Sequence, residues 1–408
     1  MSLDKAHHVV IVGAGFAGLS LARSLGGTAL RATVIDRRNY HLFQPLLYQI
    51  ATAALSPGEI AQPIRRIRAE ILTAFETAER GHDPAERERL MTFAIFGGGR
   101  TGVEMAGAIA GLARQALARD FRHIDPTKAR ILLIEAAPRI LGPFPEDLSA
   151  YAVRALERLG VALHTGKPVE DVNERGVTIG DEFIPASTIV WAAGDAASPA
   201  GQWLHVGTDR AGRIAVAPDL SVPGLDNVYV LGDLALTLGG DGKPLPGLAQ
   251  VARQQGHYLG KALLARILRH ETPPPFRFHS RGNLAVIGRN EAVVHWDSLK
   301  LKGFIAWLVW GIAHVYLLVG FHNRFLVTMR WLWTYLTFQR GLRPDHRGRH
   351  QDATRQCQSG RGRRSEGSDP KPNPRSNHRC AENRTPLDLT GRSEGRCLKP
   401  AGIHRSQR

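Results

Sequence analysis

The sequence predicts an α/β fold built from two strand–helix–strand units in tandem, and three observations carry that prediction. Residues 9–12 and 93–96 are short, continuous apolar runs, the pattern of a parallel strand buried on both faces. Each is followed at once by a Gly-x-Gly-x-x-Gly turn that opens a helical pattern. Each helix is followed by a second apolar run that ends in an acid, Asp36 in the first unit and Glu135 in the second.

In the first unit, residues 9–12 read as a strand, 16–25 as a helix and 32–35 as the second strand. Gly13, Gly15 and Gly18 let the backbone turn tightly, approach a pyrophosphate and pack a helix on a strand, with the phosphates at the helix N-terminus. Asp36 stands where ribose hydroxyls would be met. Arg37 follows it as a candidate cofactor contact; Arg37 and Arg38 hint at a 2′-phosphate, but Asp36 would repel one, so solvated surface arginines are the preferred reading. In the second unit Gly97, Gly99 and Gly102 take the same three roles, residues 102–118 read as a long helix and 131–134 as its partner strand. Glu135 at that strand's end favours the free ribose of NADH over the phosphate of NADPH. The spacing from Gly102 to Glu135 is longer than usual, which a longer helix and a loop around Asp125 and Pro126 would absorb.

After residue 194 come short strand-like pieces punctuated by Gly and Pro, a helix from about Leu248 to Leu268, and a strand candidate over 284–296. Residues 303–321 then carry no Asp, Glu, Lys or Arg, with Lys300, Lys302 and Arg324 at the edges; residues 325–338 are aromatic but contain Arg330. From 342 onward the chain is rich in Arg, Ser, Gly and Pro, and a disordered basic tail is expected because so little apolar surface cannot offset ordering entropy. That tail holds 16 Lys and Arg against 7 Asp and Glu, so most of the formal charge of +16 lies outside the body. Nucleic-acid binding is therefore not expected. Nor does the start, residues 1–12, contain a secretory apolar region; it reads as a cytosolic beginning.

Two tandem units imply a chemistry in which one holds a flavin and the other a nicotinamide, with a hydride crossing between them. Cys357, Cys380 and Cys397 all lie in the tail, so a cysteine pair beside the flavin and a cysteine metal site are both excluded from the body. The electrons need another exit. The long uncharged segment suggests an acceptor dissolved in a membrane.

The motifs resemble those of the type II NADH:quinone dehydrogenases, members of the FAD-dependent pyridine nucleotide-disulfide oxidoreductase superfamily. Residues 41–52 with 55–60, 101–107, 190–194, 227–233 and 249–256 are similar to family segments in the family's order. The resemblance implies FAD on Gly13, Gly15, Gly18, Asp36, Gly232 and Asp233, and NADH on Gly97, Gly99, Gly102, Glu135 and the strand end at Gly194. It also implies Glu104 near the nicotinamide, and Ala249, Gln250 and Gln254 bordering the quinone. C-terminal helices would dock on the cytoplasmic face of the cell membrane, peripherally or monotopically, in a non-proton-pumping enzyme for which a homodimer is admissible. A spanning helix over 303–321 is permitted by length, and a buried helix pair is the plain alternative; the interfacial reading is preferred because His314, the tryptophans and Arg330 suit a headgroup zone.

The resemblance has a gap. Residues 62–67 resemble the family just before a segment of several strands, and 68–76 resemble it just after, so the junction reads as an internal deletion. Sheet edges would be left exposed and the flavin wall incomplete. Arg100 stands where the family commonly has Pro, and Asp195 follows Gly194 where a small apolar residue is usual. The expected organisation is a truncated first part of the FAD-binding domain (1–75), the NADH-binding domain (90–195), the second part of the FAD domain with the quinone motif (196–300), membrane-associated helices (303–341) and the tail (342–408). Two rivals stand beside an active dehydrogenase: an inactive relic that binds NADH and membrane but not FAD, and a soluble flavin reductase with another acceptor.

Overall fold

The computed structural model describes residues 7–37, 65–118, 120–194 and 197–317, with 328–329, 332 and 387–388 beyond them. Residues 41–60, Arg38, Asp195 and nearly all of the tail, to which several sequence expectations refer, lie outside the described residues.

The first unit opens with β1 (His8–Val12), turns into α1 (Phe16–Leu25) and returns as β2 (Arg31–Ile35), which pairs in parallel with β1, Val9 opposite Ala32 and Ile11 opposite Val34. β-branched residues favour these strands, but the sheet has only these two strands among the described residues. Val10 is 54% exposed and Val12 75%, and Val34 and Ile35 are exposed as well. An apolar run patterned for burial on both faces is thus left open. Ile11, Leu21, Leu25 and Leu30 find cover instead against Leu259 and Leu263 of the distant helix Ala249–Leu268.

Two helices follow, α2 (Arg65–Arg80) and α3 (Pro84–Leu90). Helix α2 spans residue 75 and packs with the second unit: Ile67, Ile71, Leu72 and Phe75 share a core with Phe93, Met105 and Ile109, and the Phe75 and Phe93 rings lie 5.2 Å apart. Each such fully buried side chain contributes about 1.5–3 kcal/mol. The Glu79 carboxylate accepts the backbone N–H groups of Arg122, His123 and Ile124 at 3.0–3.1 Å, which fastens the end of α2 to the second unit.

The second unit is complete by comparison. β3 (Thr92–Phe96) is buried along its length and leads to α4 (Arg100–Gly111), which continues as a π-helical turn, Leu112–Ala116. A 3-10 turn at Pro126–Lys128, capped by Asp125, precedes β4 (Arg130–Glu135), so helix and loop account for the long spacing to Glu135. Then come α5 (Glu146–Arg158), β5 (Val161–Thr165), an antiparallel meander β6 (Val169–Asn173), β7 (Gly176–Ile179) and β8 (Glu182–Pro185), and β9 (Thr188–Trp191). The parallel sheet runs β9-β3-β4-β5. Its open edge at β9 takes Leu387 and Asp388 of the tail as β15, opposite Val190 and Trp191. For these two residues the expectation of disorder is corrected: an unpaired strand edge offers N–H and C=O groups to any extended segment.

A short helix α6 (Ala200–Trp203) and the two-residue strands β10 (Ile214–Ala215) and β11 (Ala235–Leu236) lead to α7 (Ala249–Leu268). The single strand expected over 284–296 is in fact a meander of β12 (Asn283–Gly288), β13 (Glu291–Trp296) and β14 (Leu299–Lys302); Asn290, with φ +64°, supplies the left-handed turn that the apolar pattern did not reveal. Helix α8 (Gly303–Leu317) leaves β14 and packs on β13.

Candidate functional site

The two glycine turns are near copies. Gly13 and Gly97 both adopt φ +101°, a conformation L side chains rarely take. A Cβ on Gly18 would overlap the carbonyl oxygen of Gly13, and one on Gly102 the carbonyl oxygen of Gly97, so each helix is seated directly on its turn. Gly15 and Gly99 face open space, which a phosphate needs in order to reach the helix N-terminus. Asp36 accepts the N–H of Ala14 at 2.6 Å, and Glu135 accepts those of Gly98 at 2.5 Å and Ala137 at 2.8 Å. The acids therefore brace the turns at the rim where a ribose would lie. By these observations the residues fit the pyrophosphate ends of two dinucleotides.

The second cradle is completed by β9, since a Cβ on Gly97 would stand 2.7 Å from the Ala192 oxygen, and Gly194 (φ +81°) ends that segment. The first is completed from far along the chain. Gly232 lies against Ala17 of α1 and Ala252 of α7, and its N–H donates to Gln255 Oε1 at 2.6 Å. Asp233 follows, close to Gly247 just before α7. Arg37 is exposed beyond Asp36.

Three residues hold this cradle to which the sequence assigned no role of their own, although Gln255 and Gly256 lie inside the 249–256 motif. Gln255, buried, bridges the Gly232 N–H and Thr237 Oγ1. Gly256 and Gly260 let α7 lie on α1: a Cβ on Gly256 would press the Ala17 oxygen and stand 2.9 Å from Ser20 Cβ, and one on Gly260 would collide with Ser24 Cβ. The available signal was two glycines four apart inside a helix, each costing about 1 kcal/mol there unless packing requires it.

Gln250 and Gln254 do not stand free. Gln250 accepts from Arg281 N at 2.9 Å and donates to Gly282 O at 3.2 Å, while Gln254 accepts from His279 N at 3.0 Å and donates to His279 O at 2.8 Å. Both amides stitch α7, which begins at Ala249, to the strand entering β12.

Glu104 lies one turn into α4, 8% exposed, where it accepts the Val286 N–H at 3.2 Å. Gly107 on the same helix meets the Ile287 oxygen, so α4 rests on β12. Burial pushes the Glu104 carboxyl up to about 8, against smaller opposing effects of the Val286 N–H, the Arg100 charge and the Trp310 indole. His314 of α8 is also buried; its Nδ1 is 2.8 Å from the Trp310 oxygen, and burial, aided by Arg100, holds it down at about 4. Arg100, half-buried, is lowered by burial and partly restored by Glu104.

These shifts set a pH dependence. Glu104, raised in the folded state, favours folding at low pH and loses that contribution as pH rises towards about 8; His314, lowered, favours folding above its ordinary 6.5 and loses it on acidification towards about 4. Their slopes oppose each other between about 4.5 and 6.5, and only Glu104 acts above that. Stability should fall by roughly 2 kcal/mol between pH 6.5 and 8. Glu104→Gln should remove this decline, as thermal unfolding across that window would register; an unchanged slope would refute the assignment.

Two dinucleotide cradles in one chain with a thiol-free body define a two-nucleotide oxidoreductase. The chain belongs to the pyridine nucleotide-disulphide oxidoreductases, and within them to the type II NADH:quinone oxidoreductases. The pyridine nucleotide-disulphide oxidoreductase family matches residues 7–88 and 69–256, and the NDH2 C-terminal domain matches 280–340. Among similar curated proteins, the type II NADH:quinone oxidoreductase Ndh of Mycobacterium tuberculosis is 35% identical over 420 aligned residues, covering 83% of this chain and 90% of the relative. NdhA of the same organism is 34% identical, covering 82% and 88%. NDH2 from Plasmodium falciparum, solved in complex with NADH, shares the fold with a TM-score of 0.74 at 17% identity, over 83% of this chain and all of that one. The resemblance read from the motifs is borne out.

Proposed function

We propose that the chain is an FAD-dependent NADH dehydrogenase that reduces a membrane quinone, so that NADH, a proton and a quinone give NAD⁺ and a quinol. The observation that carries this reading is the pair of matching cradles, each with an open middle glycine and an acid at its rim. Gly13, Gly15, Gly18, Asp36, Gly232 and Asp233 would hold the FAD, with Arg37 at its margin; Gly97, Gly99, Gly102, Glu135 and Gly194 would hold NADH. FAD held there would supply the redox chemistry between the nicotinamide and the quinone, taking two electrons as a hydride from one and delivering them to the other. The protein's part is to bind and orient. Glu104 titrates near pH 8 in an apolar enclosure, and Gln250 and Gln254, bonded to the segment at 279–282, would border the quinone together with Ala249. The reaction moves no proton across the bilayer.

The deletion belongs to this reading too. The alignment with the first curated relative is longer than the whole chain although it covers only part of it, and the family matches the chain in two segments that overlap at 69–88, as expected if a stretch were missing between them. The exposed faces of β1 and β2 favour the second reading, a relic that keeps NADH affinity without flavin. The visible spectrum of the purified protein separates them. Flavin bands that bleach with NADH and return with a quinone support the enzyme; a colourless protein that still binds NADH supports the relic.

Membrane docking rests on α8. Ala306, Trp310 and His314 are buried against the body, while Phe304, Ile305 (62% exposed), Leu308 and Ile312 (70%) form an apolar outer face beside Lys300 and Lys302. No helix among the described residues is long and apolar enough to cross a membrane; α8, at 15 residues, is about 22 Å long against a ~30 Å hydrocarbon core. Such a face suits peripheral attachment, proposed here for the cytoplasmic leaflet with a homodimer admissible. Ile305→Lys with Ile312→Lys should abolish co-sedimentation with anionic vesicles. Undiminished sedimentation would move the attachment elsewhere.

A further inference from the structure

Arg100 has no part in the reading above, yet its position is unusual. It is the first residue of α4, directly after the open Gly99, and therefore stands at the mouth of the second cradle. Its side chain does not simply project into solvent. It is half-buried and acts electrostatically on Glu104, one helical turn further on, and on His314 of α8. Among the described residues, the groups acting on Glu104 are Arg100 on its own helix, the Val286 N–H on β12 and the Trp310 indole on α8; β12 presents no titratable group to it. One cation thus stands at the helix end where a pyrophosphate would dock, and its charge acts on a buried acid one turn further on.

A dinucleotide brings two negative charges to that helix end, in a more open setting than Glu104 occupies. A guanidinium also binds phosphate oxygens through paired N–H donors, whereas no direct hydrogen bond joins Arg100 to Glu104 among the described residues. We propose that Arg100 turns to the pyrophosphate of a bound dinucleotide, and that Glu104, losing the one cation that acts on it among the described residues, takes up a proton. Binding and protonation then favour one another by linkage. The inference rests on the dinucleotide-binding reading of the second cradle.

The proton has one destination. His314 is held neutral throughout the physiological range by burial, so Arg100's departure does not charge it, whereas Glu104 titrates near pH 8. A consequence is that the place where α4, β12 and α8 converge is relieved of a buried negative charge when nucleotide is present.

ADP-ribose, which has the pyrophosphate but no nicotinamide, is the probe. Its binding to the full chain is measured calorimetrically from about pH 7 to about pH 9 in buffers of different ionisation enthalpy, which reports protons taken up. Any heat that survives Gly102→Val is assigned to the first cradle and subtracted. The expected result is uptake of a fraction of a proton, greatest near pH 8, with affinity falling several-fold and at most about tenfold across the range. Arg100→Gln and Glu104→Gln should each bind ADP-ribose without uptake; if Arg100→Gln no longer binds, Glu104→Gln decides. Binding by the wild type without uptake, or uptake undiminished in a variant that binds, overturns the proposal while leaving the dinucleotide reading intact. Absence of any ADP-ribose binding at the second cradle overturns both.

Discussion

Gly102→Val is expected to reduce NADH affinity by at least about 100-fold, roughly 3 kcal/mol, while leaving any flavin bound. The obstacle is backbone, not a movable side chain, because a Cβ at this position overlaps the Gly97 carbonyl oxygen. Gly97 has little room to retreat, since its φ is +101° and the Ala192 backbone lies so close that a Cβ on Gly97 would stand 2.7 Å from its oxygen. Helix α4 would have to move instead, and Val103, Met105, Ala106 and Ile109 anchor it in the core. Any movement carries the helix N-terminus away from the phosphate position. NADH titration followed by fluorescence checks the loss, with far-UV circular dichroism as a control for folding. Retained affinity in a folded variant would mean that the second glycine turn is not the NADH cradle.

Gly256→Leu should release flavin from the first cradle and destabilise that unit by about 1–3 kcal/mol or more, as overpacking does. Here the clash is with the Ala17 oxygen and the Ser20 side chain, so α7 must lift off α1. Lifting α7 uncovers Leu21 and Leu25 from Leu259 and Leu263, and it withdraws Gln255 from the Gly232 N–H. In a unit whose strands are already exposed, little else holds the cradle shut. Flavin absorbance retained on a desalting column checks the effect; full retention in a stable variant would show that the α1–α7 contact is dispensable. NADH binding at the second cradle should survive, because α4 and β4 take no part in that contact.

The parts of this protein that were legible in its sequence are those governed by neighbours in the chain. A strand, a glycine turn and a helix are specified within about ten residues, so both cradles, the acids at Asp36 and Glu135, and the long helix near 249–268 could be read directly. What the apolar pattern could not give is the cover each strand finds: Val10 and Val12 are patterned for burial, yet among the described residues both are exposed.

Other assignments depended on residues far apart in sequence. Gln250 and Gln254 looked like ligands on a helix, but their amides are engaged by the backbone at 279–282, about thirty residues away. Asn290 turned one expected strand into two by adopting a left-handed conformation that an apolar pattern cannot signal.

The sequence by itself determined the two nucleotide cradles, the absence of cysteine chemistry from the body, and the family. Only the tertiary structure decided that Gly256 and Gly260 seat α7 on α1, that α2 belongs with the second unit, and that Glu104 and His314 are buried where α4, β12 and α8 converge, with the Arg100 charge acting on both. The physical reason is the range of the forces involved. Glycine turns and hydrophobic periodicity act along the chain, whereas close packing and the desolvation that shifts a buried acid depend on which surfaces folding brings together.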